Sequence, residues 1–207
     1  MHILLYVPNI IGYLRVFFMI MSWTVAFENC NTFTLYYSIS YFLDIADGRT
    51  ARLFNQVSTF GAVLDMVTDR VCSAMLYAIL AQLYSDYYMY FFGLLALDVG
   101  SHWLLVYTSS KVAGSTHKET GDDIPFMIRI YHKYQLLCGW LVFCEQFFIG
   151  YMYAFAPMFD SNKHVLDTIS FTHTLFYITI PFMVWKQVVN IAHTYFSAMR
   201  LVDYDLK

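Results

Sequence analysis

Apolar runs long enough to cross a bilayer recur along this chain, and polar residues collect between them. A transmembrane helix needs about 20 predominantly apolar residues. Six stretches supply them, at roughly 4–26, 33–54, 60–83, 88–107, 134–157 and 168–198. The pattern predicts an all-α polytopic membrane protein, a bundle of six transmembrane helices. Joins at 28–31, 85–86 and 160–167 are short and acidic or mixed in charge. The other side carries Arg49, Arg52, Lys111, Lys118, Arg129, Lys133, Arg200 and Lys207. Lysine and arginine mark the cytosolic face, so both termini are expected there. Residues 109–129, the longest polar stretch, read as a cytosolic loop. No internal repeat or second composition appears, so residues 1–207 are expected to form a single integral-membrane domain.

Composition agrees with the pattern. The 207 residues are 59% hydrophobic, 20% aromatic and only 13% charged, whereas a soluble domain carries about 25% charged residues. Mean hydropathy is +0.51. A net charge of −3 implies no nucleic-acid partner. Cys30, Cys72, Cys138 and Cys144 lack metal-ligand spacing, and the three in apolar runs read as small buried hydrophobes. The N-terminus lacks the basic region of a cleavable signal, so the first span is expected to stay in the membrane.

One polar stretch breaks the apolar pattern, DIADGRTARLFNQVSTFGAVLDMVTD at residues 44–69. Asp44 and Asp47 are three apart, and Asp65 and Asp69 four apart, so on helices each pair shares one face. Paired acids on a helix are usually a solvated face. Four of them in one hydrophobic hairpin point instead to a site, because buried unpaired charges are very costly. Something cationic belongs among them, and hard divalent ions with oxygen ligands are the natural candidates. If the second and third spans turn near residues 56–59, Asp47 and Asp65 lie roughly 9–14 Å from the turn, and Asp44 and Asp69 roughly 15–18 Å. The two pairs then meet at similar depth. Ser58 or Thr59 is placed to cap the third helix. Asp44 and Asp47 stand near a helix C-terminus, where the dipole disfavours negative charge and sharpens the need for a cation. Gly48 and Ala51 keep their helix face small, and Arg52 offers a charged fork suited to phosphate.

The spacing D-x2-D-G-x2-A-R-x8-G-x3-D-x3-D resembles the signature of the CDP-alcohol phosphotransferases, integral membrane enzymes of phospholipid synthesis. Asp44, Asp47, Gly48, Ala51, Arg52, Gly61, Asp65 and Asp69 fill it without exception. YVPNIIGYLRV (6–16), LDVGSHW (97–103) and GSTHK (114–118) further resemble the phosphatidylinositol-synthesising branch of that family. The likeness is strong over roughly residues 6–130, and the last two spans share only length and hydrophobicity. Where that branch often has a basic residue before the signature glycine, this chain has Thr59.

The resemblance implies displacement of CMP from CDP-diacylglycerol by a hydroxyl of myo-inositol, giving phosphatidylinositol. It assigns Asp44, Asp47, Asp65 and Asp69 to magnesium or manganese, two ions being expected, and makes Asp69 also the general base. Gly48, Ala51, Arg52, Ser58 and Gly61 would contact CDP-diacylglycerol, whose acyl chains need no special pocket beyond the bilayer. It also suggests an endoplasmic reticulum location, an active site facing the cytosol, and a homodimer. For the acceptor, a neutral polyol calls for convergent polar groups. Asp98 and His102, with Ser101 beside them and His117 and Lys118 following, are the candidates; alternatively His102 only hydrogen-bonds a neighbouring helix. On the first span Arg15, accompanied by Asn9, either approaches phosphate or answers an aspartate across the bundle, and the second is preferred. Close alternatives are phosphatidylglycerophosphate or cardiolipin synthases and choline or ethanolamine phosphotransferases. A cation transporter is a distant one, since it would need polarity continuing through several spans.

Overall fold

The computed structural model describes residues 2–112, 135–156, 158 and 170–206. Among the described residues the fold is helical, with α1 Val7–Thr24, α2 Cys30–Leu53, α3 Thr59–Leu83, α4 Tyr88–Val112, α5 Gln135–Ala154 and α6 Ser170–Asp205. Short 3-10 turns occupy Ile3–Leu5 and Ser85–Tyr87. Each helix falls on one predicted apolar stretch. Two of them, within Ser85–Lys111 and Thr174–Asp205, are long and apolar enough by themselves to cross a membrane. Large apolar side chains such as Phe17, Phe42, Trp103, Tyr177 and Ile191 face outward, and exposed apolar surface on this scale needs an apolar surrounding. His117 and Lys118 lie outside the described residues.

The helix ends follow local chemistry. Asn29 caps α2, its side chain accepting from the Thr32 amide at 3.0 Å, and Ser58 caps α3 by accepting from the Gly61 amide at 3.0 Å. At the other end of α2, Asn55 adopts φ 53°. The Gln56 amide then reaches the Ala51 carbonyl at 2.9 Å, and the Asn55 amide reaches Arg52 at 3.4 Å. This left-handed stop satisfies carbonyls that a helix end leaves bare. Gln56 also accepts from the Val7 amide at 2.8 Å, which fastens the α2–α3 turn to the start of α1.

One expectation changes at the level of packing. The α2–α3 hairpin does not close on itself: α1 packs extensively along α2 and also against α3, while α2 and α3 have little direct backbone contact. α4 lies against α3 and α6, and α5 mainly against α6. The apolar core gathers at the end of α3 away from the aspartates, with Leu76, Tyr77, Ile79 and Leu80 packed against Phe33, Phe91, Ile149 and Tyr153. Burying that half of α3 holds its polar half in place. Two polar ties cross the interior as well: Tyr77 and Gln187 both donate to Glu145 at 3.0 Å, and Lys186 stands 3.7 Å from the same carboxylate.

Candidate active site

The four aspartates converge on one side chain. Arg15 comes from α1, 3% exposed, and its backbone carbonyl accepts from Ser40 of α2 at 3.1 Å. Nη1 contacts Asp47 at 3.0 Å and Asp65 at 2.7 Å. Nη2 contacts Asp44 at 2.6 Å and Asp69 at 2.7 Å. The two nitrogens therefore sort the carboxylates into the shallow and deep pairs that counting residues from the turn predicts. Arg15 answers all four aspartates, where the sequence suggested one. With α1 standing between α2 and α3, its guanidinium is what joins the two halves of the signature, and such charge-assisted bonds are the strong class.

A divalent ion fits this donor set. Asp44, Asp47 and Asp65 offer carboxylate oxygens that lie within 4.8 Å of one another, and Asp69 joins them through their shared partner. All are hard oxygen donors, the class that magnesium and manganese take.

Two cavities flank the cluster. One, of about 160 Å³, is lined by Asp47 and Asp65 and by all five predicted donor-contact residues, Gly48, Ala51, Arg52, Ser58 and Gly61. The Arg52 guanidinium lies beside Gly48, 3.8 Å from where a Cβ would stand, an ordinary contact distance. Arg52 has no salt bridge among the described residues, so its fork is available to an anion. At Gly61 a Cβ would stand 2.7 Å from Asn9 Oδ1 and 3.1 Å from Ser58 Oγ. Gly61 thus serves the close approach of α1 to α3.

The second cavity, of about 50 Å³, touches Asp44 and Asp69 together with Arg70, Ser73 and Gln146. It shares Tyr37, Tyr41 and Gln146 with an apolar groove of about 410 Å³ between α2 and α5. Tyr37 donates to Gln146 at 2.5 Å where the two meet. The groove lies within the usual volume range of a ligand pocket. A sequence shows apolar residues on α2 and on α5 but not that they enclose a space.

Asp98 and His102 do reach this centre, through a residue that the sequence reading passed over. Arg70, next to Asp69, donates to Asp98 Oδ1 at 2.7 Å and stands 3.8 Å from Asp69 Oδ2. The ring nitrogens of His102 lie 3.5 and 3.4 Å from Arg70. The available signal was a basic residue beside the last aspartate, inside a predicted span.

An aspartate cluster drawn from two helices, beside a pocket lined by Gly48, Ala51 and an arginine with no salt bridge among the described residues, suits an enzyme that works on a phosphate-bearing substrate. The chain belongs to the CDP-alcohol phosphatidyltransferase family, whose match covers residues 5–199. It is 37% identical to CDP-diacylglycerol–inositol 3-phosphatidyltransferase 1 of Arabidopsis thaliana, over 98% of this chain and 91% of that protein. It is 35% identical to CDP-diacylglycerol–inositol 3-phosphatidyltransferase of Saccharomyces cerevisiae, over 100% of this chain and 90% of the relative. The Rattus norvegicus enzyme of that name is 32% identical, over 99% and 94%. No solved structure matches the chain.

Proposed function

We propose that this chain transfers the phosphatidyl group of CDP-diacylglycerol to myo-inositol, releasing CMP. Convergence of the two aspartate pairs beside a pocket holding Gly48, Ala51, Arg52, Ser58 and Gly61 carries the reading. The acceptor follows from the shared name of the relatives. The reaction takes place in one membrane domain, residues 1–207, with six transmembrane helices and the site facing the cytosol from the endoplasmic reticulum membrane.

Each residue then has a task. Gly48 and Ala51 let the cytidine diphosphate approach the α2 backbone, and Arg52 holds phosphate oxygens. Asp44, Asp47, Asp65 and Asp69 would hold two magnesium or manganese ions, which would supply positive charge to neutralise the diphosphate. An inositol hydroxyl oxygen bonds to the phosphorus bearing diacylglycerol, the bond from that phosphorus to the CMP oxygen breaks, and the hydroxyl proton passes to Asp69. The groove between α2 and α5 adjoins the small cavity beside Asp44 and Asp69, sharing Tyr37, Tyr41 and Gln146 with it, which supports its holding a donor acyl chain inside the protein rather than in the bilayer alone. Asp98 and His102 mark the acceptor side of Asp69.

The test is CMP release from CDP-diacylglycerol by membranes carrying the chain, with manganese or magnesium present. Myo-inositol, glycerol-3-phosphate and serine are supplied in parallel, and Asp69→Asn serves as the blank. Release with inositol alone, lost in the variant, is the expected result. Release with another alcohol keeps the site and overturns the acceptor, and no release with any of them overturns the donor.

A further inference from the structure

Asp98 is too deeply buried to be a contact for a substrate. It is 1% exposed, its carbonyl accepts from Ser101 at 3.1 Å, and His102 Nδ1 lies 2.8 Å from the same carbonyl. The accessible partner is Arg70. Its side chain is 22% exposed and lines the small cavity with Asp44 and Asp69, while Asp98 grips its Nη1 at 2.7 Å. Asp98 cannot follow Arg70 outward, because α4 is packed between α3 and α6. A guanidinium held by one buried carboxylate has lost most of the freedom an arginine on a surface keeps, so its remaining donors are preorganised. They stand beside Asp69 Oδ2, the carboxylate oxygen that Arg15 does not engage. Planar N–H donors next to a proton-accepting carboxylate suit a polyol, whose hydroxyl oxygens accept while one hydroxyl gives up its proton.

Resting on the reading above, we propose that Arg70 binds the acceptor polyol beside Asp69, and that Asp98 and His102 are positioning residues acting through Arg70. Inositol specificity then resides in the Arg70 mount rather than in direct contacts from α4.

The experiment measures CMP release by the purified full chain in detergent–lipid micelles, with CDP-diacylglycerol saturating and myo-inositol varied. Arg70→Lys, Asp98→Asn and the double variant are compared. Arg70→Lys is expected to raise the inositol KM at least tenfold, with the CDP-diacylglycerol KM within threefold of the parent. Asp98→Asn is expected to raise the inositol KM in the same direction. The double variant should be no worse than Arg70→Lys alone, since residues acting through one contact are not additive. Losses that multiply would make Asp98 an independent contact and overturn the proposal, as would an unchanged inositol KM in Arg70→Lys. Thermal stabilisation by CDP-diacylglycerol with manganese reports folding for every variant. If Asp98→Asn loses it, His102→Gln against Arg70→Lys makes the same comparison. A parent that never responds to inositol overturns the functional reading first, whereas a responsive parent indifferent to Arg70 overturns only this inference.

Discussion

Asn9 on α1 and Gly61 on α3 sit so close that a single methyl group would separate them: the Asn9 Oδ1 atom is 2.7 Å from where a Cβ on Gly61 would stand. Asn9 has little room to retreat, because it is buried and donates to the Ile3 carbonyl at 2.7 Å. Gly61→Ala should therefore push α1 from α3, costing about 1–3 kcal/mol as overpacking does. Because Arg15 rides on α1, activity should fall further than stability does. Thermal unfolding and CMP release on the same preparation check this, and an alanine variant with parental activity would refute it.

Arg15→Gln removes the one side chain that, among the described residues, touches all four signature aspartates. Without that cation four neighbouring carboxylates, three of them part-exposed, are left to repel one another. The variant should melt well below the parent without divalent ions, and added manganese should recover a larger share of its stability than it adds to the parent. Melting curves with and without the ion decide it.

Chelation of divalent ions should abolish CMP release, and readdition of magnesium or manganese should restore it. Asp47→Asn and Asp65→Asn should each lower the rate by at least a hundredfold (about 2.7 kcal/mol of barrier). Activity persisting in a strong chelator would remove the assigned role of the carboxylates.

Gly150 lines the α2–α5 groove with open space beside it, nothing lying within 4 Å of where a Cβ would stand. Gly150→Phe should fill that space at little cost to folding. It should raise the KM for long-chain CDP-diacylglycerol and leave a short-chain donor nearly unaffected. Equal effects on both donors would return the acyl chains to the bilayer.

Glu145 and Lys186 are 3% and 2% exposed and lie 3.7 Å apart across α5 and α6. Lys186→Met alone should destabilise by about 3–5 kcal/mol, since Glu145 loses its counter-charge. The Glu145→Gln, Lys186→Met double variant should recover most of that loss. Unfolding midpoints of the three chains provide the check.

The extent to which this protein can be read from its sequence follows the range of each interaction. Apolar stretches, the Ser58 cap and the facing of each aspartate pair depend on neighbours within a few residues, so periodicity and residue type sufficed for the helices and for the depth at which Asp44, Asp47, Asp65 and Asp69 meet. The family signature is likewise a matter of local spacing, and the five residues it assigns to the donor line one cavity. Tertiary structure decided the partners of the buried charges. It set α1 between α2 and α3, so that Arg15 serves all four aspartates, and joined Arg70 to Asp98 and Glu145 to Lys186 across separate helices. It also enclosed the α2–α5 groove. A buried charge must find an opposite one, but which one depends on how helices pack, and spacing along a single helix carries no record of that.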